Sequence, residues 1–129
     1  MIPKPYFLIV EDDEDIQEIY KEMLSHAFDA DIEQQYNGLN GINAVKKRKP
    51  EFIILDLLMP VMSGDQFLAE LRDVLNIQDV PVLVCSVNQT LAHKLLSEKK
   101  ANAVLPKLFK ESELIEVVTR LTMIQPKGK

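Results

Sequence analysis

The sequence predicts an α/β protein in which one five-stranded parallel sheet carries helices on both faces. Three observations predict it. Short apolar runs of strand type alternate five times with segments whose apolar residues recur at helical spacing. The first, third and fourth of these runs are apolar at almost every position, which suits strands covered on both sides and places them in the middle of the sheet. The fifth run stops at Pro106, and a proline is at home on an edge strand, which can spare a backbone donor. Alternation of this kind gives a parallel sheet between two helix layers. Right-handed crossovers then favour a doubly wound sheet, with strand order 2-1-3-4-5 as one common solution.

The elements follow in order. Tyr6-Phe7-Leu8-Ile9-Val10 reads as a buried strand, and Ile16, Ile19, Tyr20, Met23 and Leu24 mark the first helix. "DADIEQQY" is a weaker strand. The turn-forming Asn37-Gly38 precedes a helix with Leu39, Ile42 and Val45, which ends before Pro50. Phe52 to Leu55 is the third strand. After Gly64 a single helix carries Phe67, Leu68, Leu71, Val74 and Leu75. Val80 to Cys85 is the fourth strand, and residues 90–98 form a short, mostly polar helix. Ala103-Val104-Leu105 is the fifth strand, and Leu114, Val117, Val118 and Leu121 line the last helix. One domain is expected over residues 1–124, with a disordered tail over 125–129, and with no repeat and no linker.

Composition narrows the functional classes. A chain of 129 residues with 47% hydrophobic and 27% charged residues fits one soluble domain with a real core. A net charge of −5 does not favour nonspecific binding to nucleic acid. No apolar run approaches the roughly 20 residues that span a bilayer. The single cysteine, Cys85, excludes an internal disulfide and a cysteine-cluster metal site, and reads as a small buried hydrophobe. The expected compartment is the cytoplasm.

The candidate chemistry lies where the strands end. In doubly wound sheets, sites form beyond the carboxyl ends of the strands. The first strand ends in Glu11-Asp12-Asp13 and the third in Asp56, on neighbouring strands about 4.8 Å apart. Carboxylates that close repel, and a carboxylate at the end of a buried run is costly unless paired or bound to metal. A divalent cation resolves the conflict, and a small set of oxygen ligands with room for water suits Mg²⁺. The fourth strand adds Ser86 and the fifth adds Lys107. A metal and an ammonium can together neutralise a phosphoryl group while a hydroxyl bonds one of its oxygens. Asp56 is then the candidate nucleophile, forming an acyl phosphate.

These landmarks carry a resemblance. "FLIVEDDEDI", "DLLMPVMSG" with its D-x-x-M-P-x-x-x-G pattern, Ser86 after "VPVLVC" and Lys107 before Leu108-Phe109 resemble the receiver domain of two-component response regulators, of the chemotaxis-regulator type. The resemblance covers roughly residues 5–122. It implies a flavodoxin-like (βα)5 fold and phosphoryl transfer to Asp56 from a histidine kinase or phosphotransfer protein. It also implies direct Mg²⁺ ligation by Asp12, ligation through water by Glu11, and a further ligand from the Leu58 backbone carbonyl. Ser86 and Lys107 would bind the phosphoryl oxygens. Asp13 either joins the acids or caps the first helix. No enzymatic turnover is implied beyond self-phosphorylation from a phosphodonor and autodephosphorylation. The expected output is a surface change at helix 4, strand 5 and helix 5 of a stand-alone receiver, monomeric or weakly dimeric, read by a downstream protein; no nucleic acid or membrane is bound by this domain.

The chain departs from the usual receiver pattern at Val87, at Val104 and at Lys107-Leu108, where Lys-Pro is usual. A receiver used only as a phosphorylation-independent binding module is therefore the alternative. An aspartyl phosphohydrolase would want an acid two residues past the nucleophile, where this chain has Leu58. A flavin-binding protein would need a Ser/Thr/Gly-rich loop where this chain has five consecutive acids. A cis Lys107–Leu108 bond would cost about 3–4 kcal/mol, so a trans bond is expected.

Overall fold

The computed structural model describes residues 3–128. Its five strands are β1 (Tyr6–Val10), β2 (Asp31–Gln35), β3 (Phe52–Leu55), β4 (Val82–Cys85) and β5 (Ala103–Leu105), all parallel and ordered β2-β1-β3-β4-β5. The helices are α1 (Glu14–Ala27), α2 (Gly38–Lys47), α3 (Gly64–Ala69), α4 (Gln89–Ser97) and α5 (Glu111–Thr122). The fold class and strand order are those the sequence predicts.

The period-2 geometry of the strands divides their side chains between two cores. Leu8, Val10, Ile53, Leu55, Val82 and Val84 point to one face and meet Ile42, Val45, Phe67, Leu68, Leu71 and Leu95. Phe7, Ile9, Phe52, Ile54, Leu83 and Cys85 point to the other and meet Tyr20, Leu24, Phe28, Leu114 and Val118. Because each central strand fills both cores, its sequence is continuously apolar. On the second face Phe7 packs edge-on against Phe28 and Phe52, with centroids 5.8 Å apart in each pair.

Four details differ from expectation. β4 begins at Val82 rather than Val80. Pro81 has no N–H to donate, and its carbonyl instead accepts from Ile53 N–H at 3.0 Å. The third helix is not uniform, since Glu70–Val74 follows α3 as a π-helical turn, closed by Leu75 N–H donating to Glu70 O at 2.9 Å. The wider turn breaks the 3.6-residue period, so Arg72 faces inward and Val74 is 66% exposed. Ile19 and Leu39, expected on buried stripes, stand at 42% and 43% exposure. α4 starts one residue early, at Gln89, because Asn88 Oδ1 caps it by accepting from Leu91 N–H.

At the C-terminus, Lys127 N–H donates to Ala27 O at 2.7 Å, which sets the segment expected to be a tail against the end of α1. Lys129 lies outside the described residues.

Candidate functional site

The carboxyl ends of β1, β3 and β5 converge on one charged cluster. Glu11 and Asp56 are both buried, at 0% and 2% exposure, while Asp12 is open to solvent. The three offer carboxylate oxygens that all lie within 4.8 Å of one another. Lys107 Nζ stands 3.2 Å from Asp56 Oδ2 and 3.2 Å from Glu11 Oε1. Its contact with Asp56 is an aligned hydrogen bond. The contact with Glu11 is close enough for an ion pair but poorly aligned, so Glu11 Oε1 has no true hydrogen bond.

Backbone groups fix the acids. Asp56 Oδ1 accepts from Leu57 N–H at 2.8 Å, and Glu11 Oε2 accepts from Asp13 N–H at 3.1 Å. Asp13 itself caps α1, its Oδ1 accepting from Asp15 and Ile16 N–H at 2.9 and 3.1 Å. Of the two roles open to it from sequence, it takes the cap. Gly64 is required by close approach: a Cβ there would stand 2.2 Å from Asp56 O and 2.7 Å from Leu57 Cα. That contact lets α3 begin directly beneath the Asp56 loop, with Gly64 N–H donating to Leu57 O at 2.9 Å.

The electrostatics record crowding. Burial pushes the Glu11 carboxyl up to about 7, and the neighbouring charge of Asp56 adds to it against the relief from Asp13 N–H and Lys107. Burial also raises Asp56, opposed by Lys107 and by the Leu57 and Leu58 backbone N–H groups. For Lys107, burial alone would lower the ammonium, but the Asp56 and Glu11 carboxylates outweigh it and the net shift is upward. One ammonium thus lies against two buried carboxylates, with Asp12 within ligand reach of both, and the cluster is short of positive charge.

Leu58 meets this cluster through its backbone, whose N–H favours the ionised Asp56, whereas the Ser86 side chain is engaged in its own loop. The Ser86 side chain is fully buried, and its Oγ accepts from Asn88 N–H at 3.1 Å, at the start of the β4–α4 loop. The Leu58 side chain is more than half exposed. Among the described residues no peptide bond is cis, so Lys107–Leu108 is trans as expected. Leu108 instead has φ +66°, a left-handed conformation that no proline can adopt.

Sequence reasoning missed Gln17. It is fully buried, and its Nε2 donates to Ile9 O, Glu11 O and Gln35 O at 3.2, 3.0 and 2.7 Å, tying the ends of β1 and β2 together behind Glu11. A signal existed: Gln17 shares the helical stripe of Tyr20, Leu24 and Ala27, so one polar residue interrupts a buried face.

The model of the response regulator receiver domain matches residues 7–119. The chain belongs to that family. The receiver is 31% identical over 127 residues to the sensor histidine kinase TmoS of Ectopseudomonas mendocina, covering 97% of this chain and 13% of the relative. It spans less than half the length of the curated relatives it matches, which include hybrid and sensor histidine kinases and response regulators. Among solved structures, the receiver domain of the Francisella response regulator 1452 superposes with a TM-score of 0.81 at 25% identity, over 92% of this chain and 97% of that one. The receiver domain of the Pseudomonas aeruginosa sensor histidine kinase PA1611, described with magnesium coordinated in its active-site cleft, matches with a TM-score of 0.82 at 23% identity, covering 94% of this chain and 99% of that one. At that identity the likeness concerns the fold.

Proposed function

We propose that this receiver accepts a phosphoryl group on Asp56 from the phosphohistidine of a histidine kinase or phosphotransfer protein, with Mg²⁺ held by Asp12, Asp56 and Glu11. The observation that carries the reading is the pairing of a buried Asp56 with a lysine at 3.2 Å inside a cluster of three carboxylates. A structural ion pair needs one acid per lysine; here two buried acids share one lysine beside a third acid, which leaves charge that a cation can balance.

The donor set fits a hard divalent cation. It offers oxygen only, one member is open to water, and Glu11 Oε1 lacks an aligned donor. Bound there with the Leu58 carbonyl as a further ligand, the cation would neutralise negative charge on the phosphoryl oxygens. An oxygen of Asp56 bonds to phosphorus as the bond from phosphorus to the donor imidazole nitrogen breaks. The imidazole keeps the electron pair and takes up a proton, and Asp56 becomes a mixed anhydride. Lys107, already against Asp56 Oδ2, stays beside the oxygens that carry the charge. Ser86 reaches the phosphoryl group by giving up Asn88 N–H, and that exchange moves the β4–α4 loop.

The output is a change of surface along α4, β5 and α5, read by a downstream protein. Val104, half-buried on β5, is β-branched and stiff, so the response centres on the β4–α4 loop and α4. The reading is tested by intact mass after incubation with acetyl phosphate. One phosphoryl group is expected with Mg²⁺, none with chelator and none in Asp56→Asn; a modified Asp56→Asn protein refutes the assignment.

A further inference from the structure

The lysine at the centre of the site rides on a loop with little to hold it. Lys107, Leu108 and Phe109 lie between β5 and α5 in no regular element, and among the described residues no hydrogen bond holds Leu108 or Phe109. Yet Lys107 Nζ is placed within 3.2 Å of two carboxylates on two other strands. The left-handed turn at Leu108 splits the loop. The Leu108 side chain is 85% exposed, while Phe109, one residue on, is buried. The Phe109 ring lies parallel to that of Tyr20, with centroids 5.2 Å apart and planes 13° from each other.

Tyr20 sits on α1, the helix that begins directly after Glu11-Asp12-Asp13. The stack therefore joins the loop carrying the lysine to the helix rooted at the acids. The Tyr20 ring is buried, and among the described residues its hydroxyl has no aligned hydrogen-bond partner, the Cys85 thiol lying close by. What meets Phe109 is the face of the ring, not the hydroxyl.

We propose that Tyr20 is the positioning residue for Lys107, its ring clamping Phe109 so that the turn at Leu108 presents the ammonium to Asp56. The inference rests on the phosphoacceptor reading of Asp56 for its consequence and on packing alone for its geometry. It requires the ring and not the hydroxyl. It also acts on Lys107 without acting on the cation ligands, which follow β1 and β3.

The test compares the wild type with Tyr20→Leu, Tyr20→Phe and Phe109→Leu. Three quantities are read: the acetyl phosphate labelling rate by intact mass, the Mg²⁺ affinity by calorimetry, and the rate of Lys107 reductive methylation by peptide mass. Tyr20→Leu and Phe109→Leu should slow labelling by about tenfold or more, since small misplacements of a catalytic group cost that much. They should expose Lys107 to methylation several-fold faster while Mg²⁺ affinity stays within about twofold. Tyr20→Phe should restore both rates. Methylation unchanged in both leucine variants overturns the proposal, as does Mg²⁺ affinity falling in step with labelling, or Tyr20→Phe behaving like Tyr20→Leu. A wild type that takes no phosphate defeats the phosphoacceptor reading, while the methylation rates still decide what holds Lys107.

Discussion

Arg72 and Asp56 lie at opposite ends of the same sheet, and both are charged side chains withdrawn from water. Arg72, only 4% exposed, faces the start of β4 and β5. Its Nε donates to Lys100 O at 3.0 Å, its Nη1 to Ile77 O and Val80 O at 3.1 and 2.9 Å, and its Nη2 to Asn102 Oδ1 at 2.8 Å. Every acceptor is a neutral carbonyl oxygen, and all three nitrogens are used. Burial lowers the Arg72 guanidinium and the Asp79 carboxylate opposes that shift, and the group stays charged as arginine does throughout proteins. At the other end, Asp56 and Glu11 have too little positive charge and one oxygen without an aligned donor. A buried charge that is fully satisfied holds a fold together; one left in deficit is poised to take a ligand.

The comparison is broken most severely by removing the arginine. In Arg72→Met the carbonyls of Ile77, Val80 and Lys100 lose their donor, and Asn102 Oδ1 keeps only Val82 N–H, at 2.9 Å. Stranding buried acceptors costs roughly 1–3 kcal/mol each before water or relaxation recovers part of it, so a net loss of about 3–4 kcal/mol is expected. Urea denaturation should show it, while millimolar Mg²⁺ should raise the melting temperature of the variant and the wild type alike, as a cation bound only by the folded state does. If that rise vanishes as well, the two ends are not independent.

The acid end responds to pH in a direction that can be worked out. The folded-state value of Glu11 is raised to about 7, from 4.5 when unfolded. Between those values the folded protein holds a proton that the unfolded chain has released. Stability without metal therefore falls as pH rises from about 4.5 to 7 and levels off above. Asp56, also raised, acts in the same sense. The size is on the order of 2 kcal/mol, at about 1.4 kcal/mol per unit and discounted for coupling to Lys107. Glu11→Gln should flatten the slope. Millimolar Mg²⁺ should flatten or reverse it, because a cation favours the ionised carboxylates. Melting curves at pH 5 and 7.5, with chelator and with Mg²⁺, make the measurement; a slope rising with pH in chelator contradicts the assigned deficit.

Much of the fold and of the acid end is legible in the amino-acid sequence, and the reasons are physical. The strands are readable because burial on two faces leaves no polar position in Phe7–Val10 or Phe52–Leu55. The acids and Lys107 are readable because parallel topology delivers strand ends to one edge regardless of side-chain detail. Arg72 is not, because one π-helical turn shifts the register by a residue and sequence periodicity averages over such a shift. Nor is the orientation of Ser86, since a hydroxyl at a strand end can turn to a ligand or to its own loop, and here it turns to Asn88. The left-handed turn at Leu108 has no signal either, because leucine gives none of the hints that glycine or asparagine would.

The smallest effect expected concerns backbone strain at one position near each end. In the loop between β3 and α3, Val61 has φ +70°, and near the opposite end Asn76 has φ +53°. Asparagine enters this region readily, whereas a β-branched residue is an outlier there. Left-handed backbone costs a residue with a Cβ roughly 1–2 kcal/mol, and asparagine recovers part of that. Val61 is 76% exposed, so little burial is lost on replacing it. Val61→Asn should thus stabilise the protein by up to about 1 kcal/mol, and Asn76→Val should destabilise it by a similar or larger amount, since Asn76 Oδ1 also accepts from Gln78 Nε2 at 3.3 Å. Urea midpoints give both values. What opposes the gain is the shallow groove whose apolar lining Val61 shares with Met62 and Val74. A destabilised Val61→Asn protein would mean that this apolar lining outweighs the strain. The comparison would then be sharpened rather than lost, with strain at Val61 retained for packing beside the Asp56 loop and eased at position 76 by asparagine.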